Sequence, residues 1–183
     1  MKIFVGCSSS DEIDKGYFIE CRKLLEELFK GEHSLVYGAS SKGLMGEAYR
    51  IAKKNNRYVY GINPEIFKDD FDFLECNESI ITECISRRTD KLIELSDVLL
   101  FLPGGIGTVY EFFSVIESKR SMEFDKPVVV FNANHYFDEL FVFLDKLYNG
   151  KFTSSKVKDC YFVTSDVDEC LEYINNFLRN KSR

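Results

Sequence analysis

The sequence lacks the features of membrane and secreted proteins. No apolar run approaches the roughly 18 residues that a membrane-spanning helix requires. The N-terminal MKIFVGCSSSDE contains an apolar run too short for a secretory signal. Tryptophan is absent and there are three prolines and two histidines in 183 residues. We therefore expect a cytoplasmic protein with no membrane partner.

Basic blocks are also missing. Lysine and arginine number 24 against 30 aspartates and glutamates, which gives a net charge of -6 with the two signs interspersed. Proteins that bind nucleic acids neutralise phosphates with clustered basic residues, so no nucleic-acid partner is expected. Hydrophobic residues make up 45% of the chain and charged residues 30%. This composition and the chain length predict a single globular domain over 1–183.

The six cysteines lack the C-x-x-C spacing of a metal site, and only two histidines could join them. The sequence therefore predicts no metal and reduced thiols. Cys7 follows a predicted strand, but no histidine lies near it in the sequence to activate it. A nucleophilic role for this thiol is disfavoured.

Strands and helices are predicted to alternate along the chain. The strands are short apolar runs, at 3–5, 34–37, 58–62, 98–102, 128–131 and 161–163. The helices are predicted at 11–30, from 44, at 83–96, from about 108, at 136–148 and at 167–178, with a loop at 63–78. Strands without polar alternation are covered on both faces. We expect a Rossmann-like, doubly wound α/β fold with a mostly parallel sheet and helices on both faces.

The strongest local signal is the stretch Pro103–Glu111, which follows a predicted strand. Its glycine-rich turn, formed by Gly104, Gly105, Ile106, Gly107 and Thr108, opens a helix. Backbone N–H groups at such a helix start bind phosphate well. A second interpretation is a capping box, in which Thr108 caps the helix and Glu111 reaches back. The helical wheel places Glu111 opposite Val109, on a polar and solvated face.

Arg88 is the second signal, because it falls on the apolar stripe of its predicted helix together with Ile85 and Leu92. A charged side chain on such a stripe needs a carboxylate or a bound anion as partner. A structural ion pair, or an aliphatic stem that extends to water, would also satisfy it. Arg87 falls on the polar side and is expected to be solvated.

Two further strand ends are rich in glycine and serine. Ser8 lies in the first, and Gly38 and Ser40 lie in the second. Each loop could present N–H or hydroxyl groups to a ligand, and each could equally be a turn with an N-cap serine.

Arg88, followed by Pro103-Gly104-Gly105-x-Gly107-Thr108-x-x-Glu111, resembles the signature of the LOG (Lonely Guy) family. These proteins are cytokinin riboside 5′-monophosphate phosphoribohydrolases, formerly labelled lysine decarboxylases. The stretches 3–9 and 36–46 also resemble the family, and 126–128 and 136–138 fall in the expected order. The resemblance implies a homodimeric hydrolase that needs no cofactor. It would cleave the N-glycosidic bond of an AMP-like or N6-substituted adenine nucleotide.

The same resemblance implies roles for individual residues. Arg88 and Glu111 would be the catalytic pair, and the turn 104–108 would bind the 5′-phosphate. The further nucleotide contacts would be Thr89, Ser8, Gly38 and Ser40.

The chain departs from the family pattern at three places. Thr89 stands where the family usually has lysine, Tyr110 where it has glutamate, and Ala39 where it has glycine. These departures leave open a non-catalytic nucleotide sensor or carrier of the same superfamily. An unrelated α/β enzyme that uses Cys7 or the serine turns is a third, weaker alternative.

Overall fold

The computed structural model describes residues 1–73 and 75–181. In this part of the chain seven parallel strands form one sheet in the order β4-β3-β2-β1-β5-β6-β7. The strands are β1 (Lys2–Gly6), β2 (Ser34–Tyr37), β3 (Val59–Pro64), β4 (Glu78–Thr82), β5 (Val98–Phe101), β6 (Val128–Phe131) and β7 (Phe162–Thr164). The helices are α1 (Lys15–Lys30), α2 (Gly43–Lys54), α3 (Ile85–Leu95), α4 (Ile106–Arg120), α5 (Asp138–Asn149) and α6 (Val167–Lys181). Three 3₁₀ segments, Glu65–Phe73, Ala133–His135 and Ser155–Cys160, complete the elements.

Apolar residues cover both faces of the sheet, as the strand patterns predict. The helices α1, α2 and α6 pack on one face, where Leu24 and Leu44 belong to the buried cluster. The helices α3, α4 and α5 pack on the other face through residues such as Leu92 and Phe112. The central strands alternate between the two clusters, so Ile3 faces the first and Phe4 the second. The predicted Rossmann-like, doubly wound α/β fold is confirmed, and the sheet is parallel throughout.

The strand order reverses direction at β1, which lies between β2 and β5. Register pairs such as Val5 with Leu100 bring the carboxyl ends of β1 and β5 together. In open parallel sheets the crevice beyond such a reversal is the usual ligand position. The loops that follow these two strands are therefore the ones that the fold places for binding.

The prediction of a loop over 63–78 is wrong. The segment Glu65–Phe73 is a 3₁₀ helix, and the strand β4 begins at Glu78 and pairs in parallel with β3. β4 is an edge strand whose residues are mostly exposed or half-buried. It therefore has no continuous apolar run, and the sequence carries no strong signal for it. The first helix begins at Lys15 instead of Asp11, because Asp14 caps it by accepting a hydrogen bond from the Gly16 N–H.

Across the described ranges, the helices are all too short or too polar to cross a lipid bilayer.

Candidate active site

A cavity of about 780 Å³ opens beyond the carboxyl ends of β1 and β5. Its lining comes from the two loops after these strands and from the first turns of α2, α3 and α4, with one residue from the 3₁₀ segment 65–73. The lining residues are Cys7, Ser8, Ser9, Ser10, Met45, Phe67, Ile85, Arg88, Gly105, Ile106, Gly107, Thr108, Tyr110 and Glu111. Among the described residues of this lining, Arg88 and Glu111 are the only charged ones.

Arg88 and Glu111 form an ion pair at the wall of the cavity. The Nη2 of Arg88 donates to Oε1 of Glu111 over 2.6 Å, and both side chains are at least nine-tenths buried. α3 presents Arg88 one turn before Leu92, whose side chain packs into the core. The Nε of Arg88 is also buried and has no hydrogen-bond partner within the described part of the chain. A ligand oxygen at this point would satisfy it.

The environment of Glu111 perturbs its ionisation. Burial raises the pKa of the Glu111 carboxyl to about 7, against the opposing charge and hydrogen bond of Arg88. Removal of water from around a carboxylate disfavours its charged form, and one guanidinium offsets only part of that cost. Perturbed carboxyl groups in a cavity are frequent at catalytic sites. The Glu111 carboxyl can therefore take up or release a proton near neutral pH.

The start of α4 corrects two interpretations of the sequence. The helix is capped by Gly105, and within the described residues no side chain makes a capping hydrogen bond there. The capping box of Thr108 and Glu111 is therefore wrong. The solvated face is wrong as well, because Glu111 is only 2% exposed. The buried face of α4 runs through Thr108, Glu111, Phe112 and Val115, and not through Val109 as the helical wheel indicates.

The helix start faces open space. Gly105, Ile106 and Gly107 are exposed, and a Cβ added at either glycine would meet nothing within 4 Å. The first N–H groups of a helix have no partner inside the helix and carry partial positive charge. This turn therefore has the geometry of an anion site. Gly104 has a different role, because it lets the buried Thr108 side chain pack closely against the backbone. A Cβ at position 104 would lie 2.1 Å from Oγ1 of Thr108.

The serines of the two other loops form local turns. The Oγ of Ser8 accepts from the Ser10 N–H, and the Oγ of Ser40 accepts from the Lys42 N–H. The N-cap interpretation is wrong for both, because α1 is capped by Asp14 and α2 by Lys42. Ser8 also binds its neighbours through its backbone. Its N–H donates to the carbonyl of Pro103, and its own carbonyl accepts from the Met45 N–H.

The structure brings seven of the proposed site residues into one lining and leaves four outside it. Arg88, Glu111, Gly105, Ile106, Gly107, Thr108 and Ser8 line the cavity, whereas Gly104, Thr89, Gly38 and Ser40 do not. Thr89 is buried, and its hydroxyl donates to the carbonyl of Ile85 within α3. Gly38 lies beside the site, since a Cβ there would be 3.4 Å from Nη1 of Arg88.

Several lining residues have no signal in the sequence. Met45, Phe67 and Ile85 come from three different elements, and Phe67 lies in the stretch that the sequence presents as an aperiodic loop. The Tyr110 side chain also faces the cavity, one residue before Glu111. These side chains make the wall beyond the ion pair apolar and aromatic. Only the packing of the elements reveals that they share one cavity.

Cys7 lies in the cavity wall and is 1% exposed. Burial raises the pKa of its thiol well above the usual range, and the nearby Cys21 and Glu111 raise it further. A neutral buried thiol is a poor nucleophile. The structure thus gives no support to a Cys7 nucleophile.

Arg87 is exposed and pairs with Asp90 at 3.4 Å, as its place on the polar side predicts.

Known proteins resemble the chain over nearly its whole length. A probable cytokinin riboside 5′-monophosphate phosphoribohydrolase of Oryza sativa subsp. japonica is 29% identical over 96% of this chain and 71% of its own. A second one, from Arabidopsis thaliana, is 32% identical over 79% of this chain and 72% of its own. The solved Moco carrier protein of Chlamydomonas reinhardtii shares the fold, with a TM-score of 0.71, 21% identity and 98% coverage of both chains.

The family model described as "possible lysine decarboxylase" matches residues 45–174, well over half of the chain. This range contains Arg88, the glycine turn and Glu111. The chain therefore belongs to that family, the LOG family, in which the two relatives above are named as probable phosphoribohydrolases.

Proposed function

We propose that the protein hydrolyses the N-glycosidic bond of a nucleoside 5′-monophosphate, with an AMP-like or N6-substituted adenine nucleotide as substrate. The observation that carries the proposal is the buried Arg88–Glu111 pair, which lies in the same cavity as the open N-terminus of α4. The open N-terminus of α4 suits a phosphate, and the Glu111 carboxylate can stabilise a positive charge on the ribose. The names of the relatives support the same reaction.

The turn at the start of α4 would hold the 5′-phosphate through the N–H groups of Gly105, Ile106 and Gly107. Binding energy from this remote group orients the ribose against the catalytic pair. Arg88 would hold Glu111 by Nη2 and donate from its unpaired Nε to a substrate oxygen. The base would lie against the apolar wall that includes Met45 and Tyr110.

In the reaction, water adds to C1′ of the ribose while the C1′–N bond breaks. The base leaves with a proton, and ribose 5-phosphate is formed. Positive charge develops on the ribose ring, as in other glycoside hydrolyses. The Glu111 carboxylate would stabilise that charge or orient the water. Because the pKa of Glu111 is raised to about 7 and the ionised form acts, the rate should fall as the pH drops below about 7.

The test is a chromatographic assay of nucleoside monophosphates, including AMP and an N6-isopentenyl analogue. Wild type should release free base and ribose 5-phosphate, and Glu111→Gln should lower the rate at least about 100-fold. Glu117→Gln is the matched control, because Glu117 is on the same helix but is exposed and paired with Arg120. Full activity of Glu111→Gln would contradict the assigned role.

A nucleotide sensor or carrier is the second candidate. Two observations favour it. The fold is shared with the Moco carrier protein of Chlamydomonas reinhardtii, and Thr89, Tyr110 and Ala39 depart from the family pattern. This candidate predicts that a nucleotide raises the unfolding temperature by mass action and that no product forms. Release of free base from the bound nucleotide would reject it.

A homodimer is also part of the proposal. Phe112 of α4 and Tyr148 of α5 are buried in the core, whereas Phe143 of α5 is 51% exposed. Support comes instead from the cavity mouth, where Phe67, Ile85 and Ile106 are 43%, 45% and 86% exposed. Exposed apolar patches of this kind mark interaction surfaces, and a second copy would cover them.

Sedimentation velocity tests the assembly. Wild type should sediment as a dimer, and Ile106→Glu should shift it towards monomer. Phe152→Glu is the control, because Phe152 is 84% exposed but does not line this cavity. A monomeric wild type at micromolar concentration would contradict the homodimer.

A further inference from the structure

The peptide that joins Gly104 to Gly105 lies at the edge of the candidate anion site. A glycine on both sides removes most of the steric barriers that normally hold a peptide plane in one orientation. Gly105 lines the cavity, and nothing lies within 4 Å of the position of its Cβ. The local sequence therefore leaves the orientation of this peptide undetermined.

The orientation matters for an anion. In a trans peptide the C=O and the N–H point in opposite directions. The carbonyl of Gly104 and the N–H of Gly105 are therefore one rigid unit. A half-turn of the plane would exchange the N–H for a carbonyl oxygen, and a carbonyl oxygen repels a phosphate. Some other part of the molecule must hold the plane if the turn is to act as a donor.

The hydroxyl of Tyr136 supplies that contact. It donates to the carbonyl oxygen of Gly104 over 2.7 Å. The Tyr136 ring is itself held between two others in edge-to-face geometry, with centroids 5.4 Å from Tyr17 and 4.8 Å from Phe137. The hydroxyl thus reaches Gly104 from an independently packed position.

The loop that carries Tyr136 is built rigidly. The Asn132 side chain accepts from the Phe137 N–H and donates to Asp138, each over 2.7 Å. Between these contacts Asn134 and His135 have φ of 49° and 59°, in the left-handed region. Such strain persists only where the surrounding structure imposes it, and it is concentrated at functional sites.

We propose that Tyr136 is a positioning residue that holds the Gly104–Gly105 peptide with its N–H available to the anionic group of the ligand. This inference rests on the proposed function and deepens it, because it assigns the phosphate contact to a turn fixed by a side chain from the β6–α5 loop. Tyr136 acts through the turn and not on the reacting atoms.

Isothermal titration calorimetry of Tyr136→Phe tests the proposal with ribose 5-phosphate and with adenosine, which has no phosphate. The Kd of ribose 5-phosphate should rise about 2- to 13-fold, the range of one neutral hydrogen bond such as the one that the variant removes. The Kd of adenosine should not change. Tyr17→Phe is the matched control: it removes a hydroxyl from the neighbouring ring and should leave both constants unchanged. In NMR spectra the phosphate-induced shift of the Gly105 amide should shrink in Tyr136→Phe alone.

The outcomes separate this inference from the proposed reaction. Equal binding of ribose 5-phosphate by wild type and Tyr136→Phe would overturn the role of Tyr136 and leave the hydrolase proposal intact. Equal weakening of both ligands would indicate general damage and would also overturn it. Selective weakening in a protein that hydrolyses no nucleotide would support Tyr136 and reject the reaction. Failure of wild type to bind ribose 5-phosphate would overturn both.

Discussion

The helices α2 and α4 begin in much the same way in sequence but differently in structure. Each follows a parallel strand and a loop rich in glycine or serine, and each buries a glutamate in its first two turns. At α2 the Gly43 N–H donates to Asp11, and the Met45 N–H donates to the Ser8 carbonyl. At α4 the first turn is exposed and lines the cavity. A helix start becomes a ligand site only where the protein leaves its donors unused.

The two buried glutamates show the same contrast. Glu47 in α2 is also desolvated, but it accepts hydrogen bonds from both Arg22 and Arg50, and these two partners lower its pKa below the usual range. Glu111 in α4 has the single partner Arg88, and its pKa is raised to about 7 by burial. The Glu47 side chain is 11% exposed and has two partners, whereas the Glu111 side chain is 2% exposed and pairs with Arg88, so both the deeper burial and the weaker pairing raise the pKa of Glu111 above that of Glu47. The first glutamate is a structural anchor, and the second remains available for chemistry.

The largest expected effect is a loss of stability when one methyl group is added at the start of α2. The same change at the start of α4 should have almost no effect. Gly43 has φ of +59°, and a Cβ there would lie 2.6 to 2.7 Å from backbone atoms of Ser8 and Ser10. Gly43→Ala should lower the free energy of unfolding by about 3 kcal/mol or more. Gly105→Ala, where the space is open, should change it by less than about 0.5 kcal/mol. Urea denaturation measures the free energy of unfolding of both variants. Equal losses would contradict the conclusion that the start of α2 is closely packed and the start of α4 is open.

The glutamates should have opposite signatures in the pH dependence of stability. The Glu111 pKa is raised, so its contribution to the free energy of unfolding falls by roughly 1 kcal/mol per pH unit between about 4.5 and 7. The Glu47 pKa is lowered, so its contribution is present above about 4.5 and is lost as the pH falls below that value.

Urea denaturation across this range should compare wild type with Glu111→Gln and with Glu47→Gln. Relative to Glu111→Gln, wild type should lose free energy of unfolding as the pH rises from about 4.5 to 7. The difference from Glu47→Gln should shrink as the pH falls below about 4.5. The same pH profile for both variants would mean that their partners do not set the two ionisations.

The smallest expected effect is at Gly107 in α4, where one substitution should raise the stability of the protein and weaken ligand binding. Gly107 lies in the first turn of the helix with open space around it. Gly107→Ala should raise the free energy of unfolding by about 0.5 kcal/mol, because alanine favours a helix more than glycine does. The added methyl would stand at the cavity wall and should weaken ribose 5-phosphate binding. A more stable variant with unchanged affinity would show that the anion does not bind at this turn.

Sequence patterns located most of the main elements and singled out Arg88, whereas the candidate role of Glu111 came from the resemblance to the LOG family. The unbroken apolar strands predicted a mostly parallel sheet covered on both faces. The position of Arg88 on an apolar stripe predicted either a carboxylate or anion partner or a stem that extends to water, and the structure shows the carboxylate of Glu111. Both predictions follow from local periodicity, which is visible in one chain. The edge strand β4 was missed because it buries little, so it needs no continuous apolar run.

The local pattern was misleading around Glu111. Thr108 and Glu111 have capping-box spacing, and a helical wheel places the glutamate on a polar face. The structure turns that face towards the cavity and Arg88, because Phe112 and Val115 on the adjoining side enter the core. Periodicity assigns faces to a helix, but only packing decides what each face contacts.

The sequence by itself determined the glycine-rich start of α4, the position of Arg88 on an apolar helix stripe, and the order of strands and helices other than the edge strand β4. These depend on residue type and spacing over short ranges. The tertiary structure alone decided that Arg88 meets Glu111, that Asp11 closes α2 while α4 stays open, and that Tyr136 reaches Gly104. Such contacts join residues far apart in the chain, and their geometry is set by how the sheet brings the ends of its strands together.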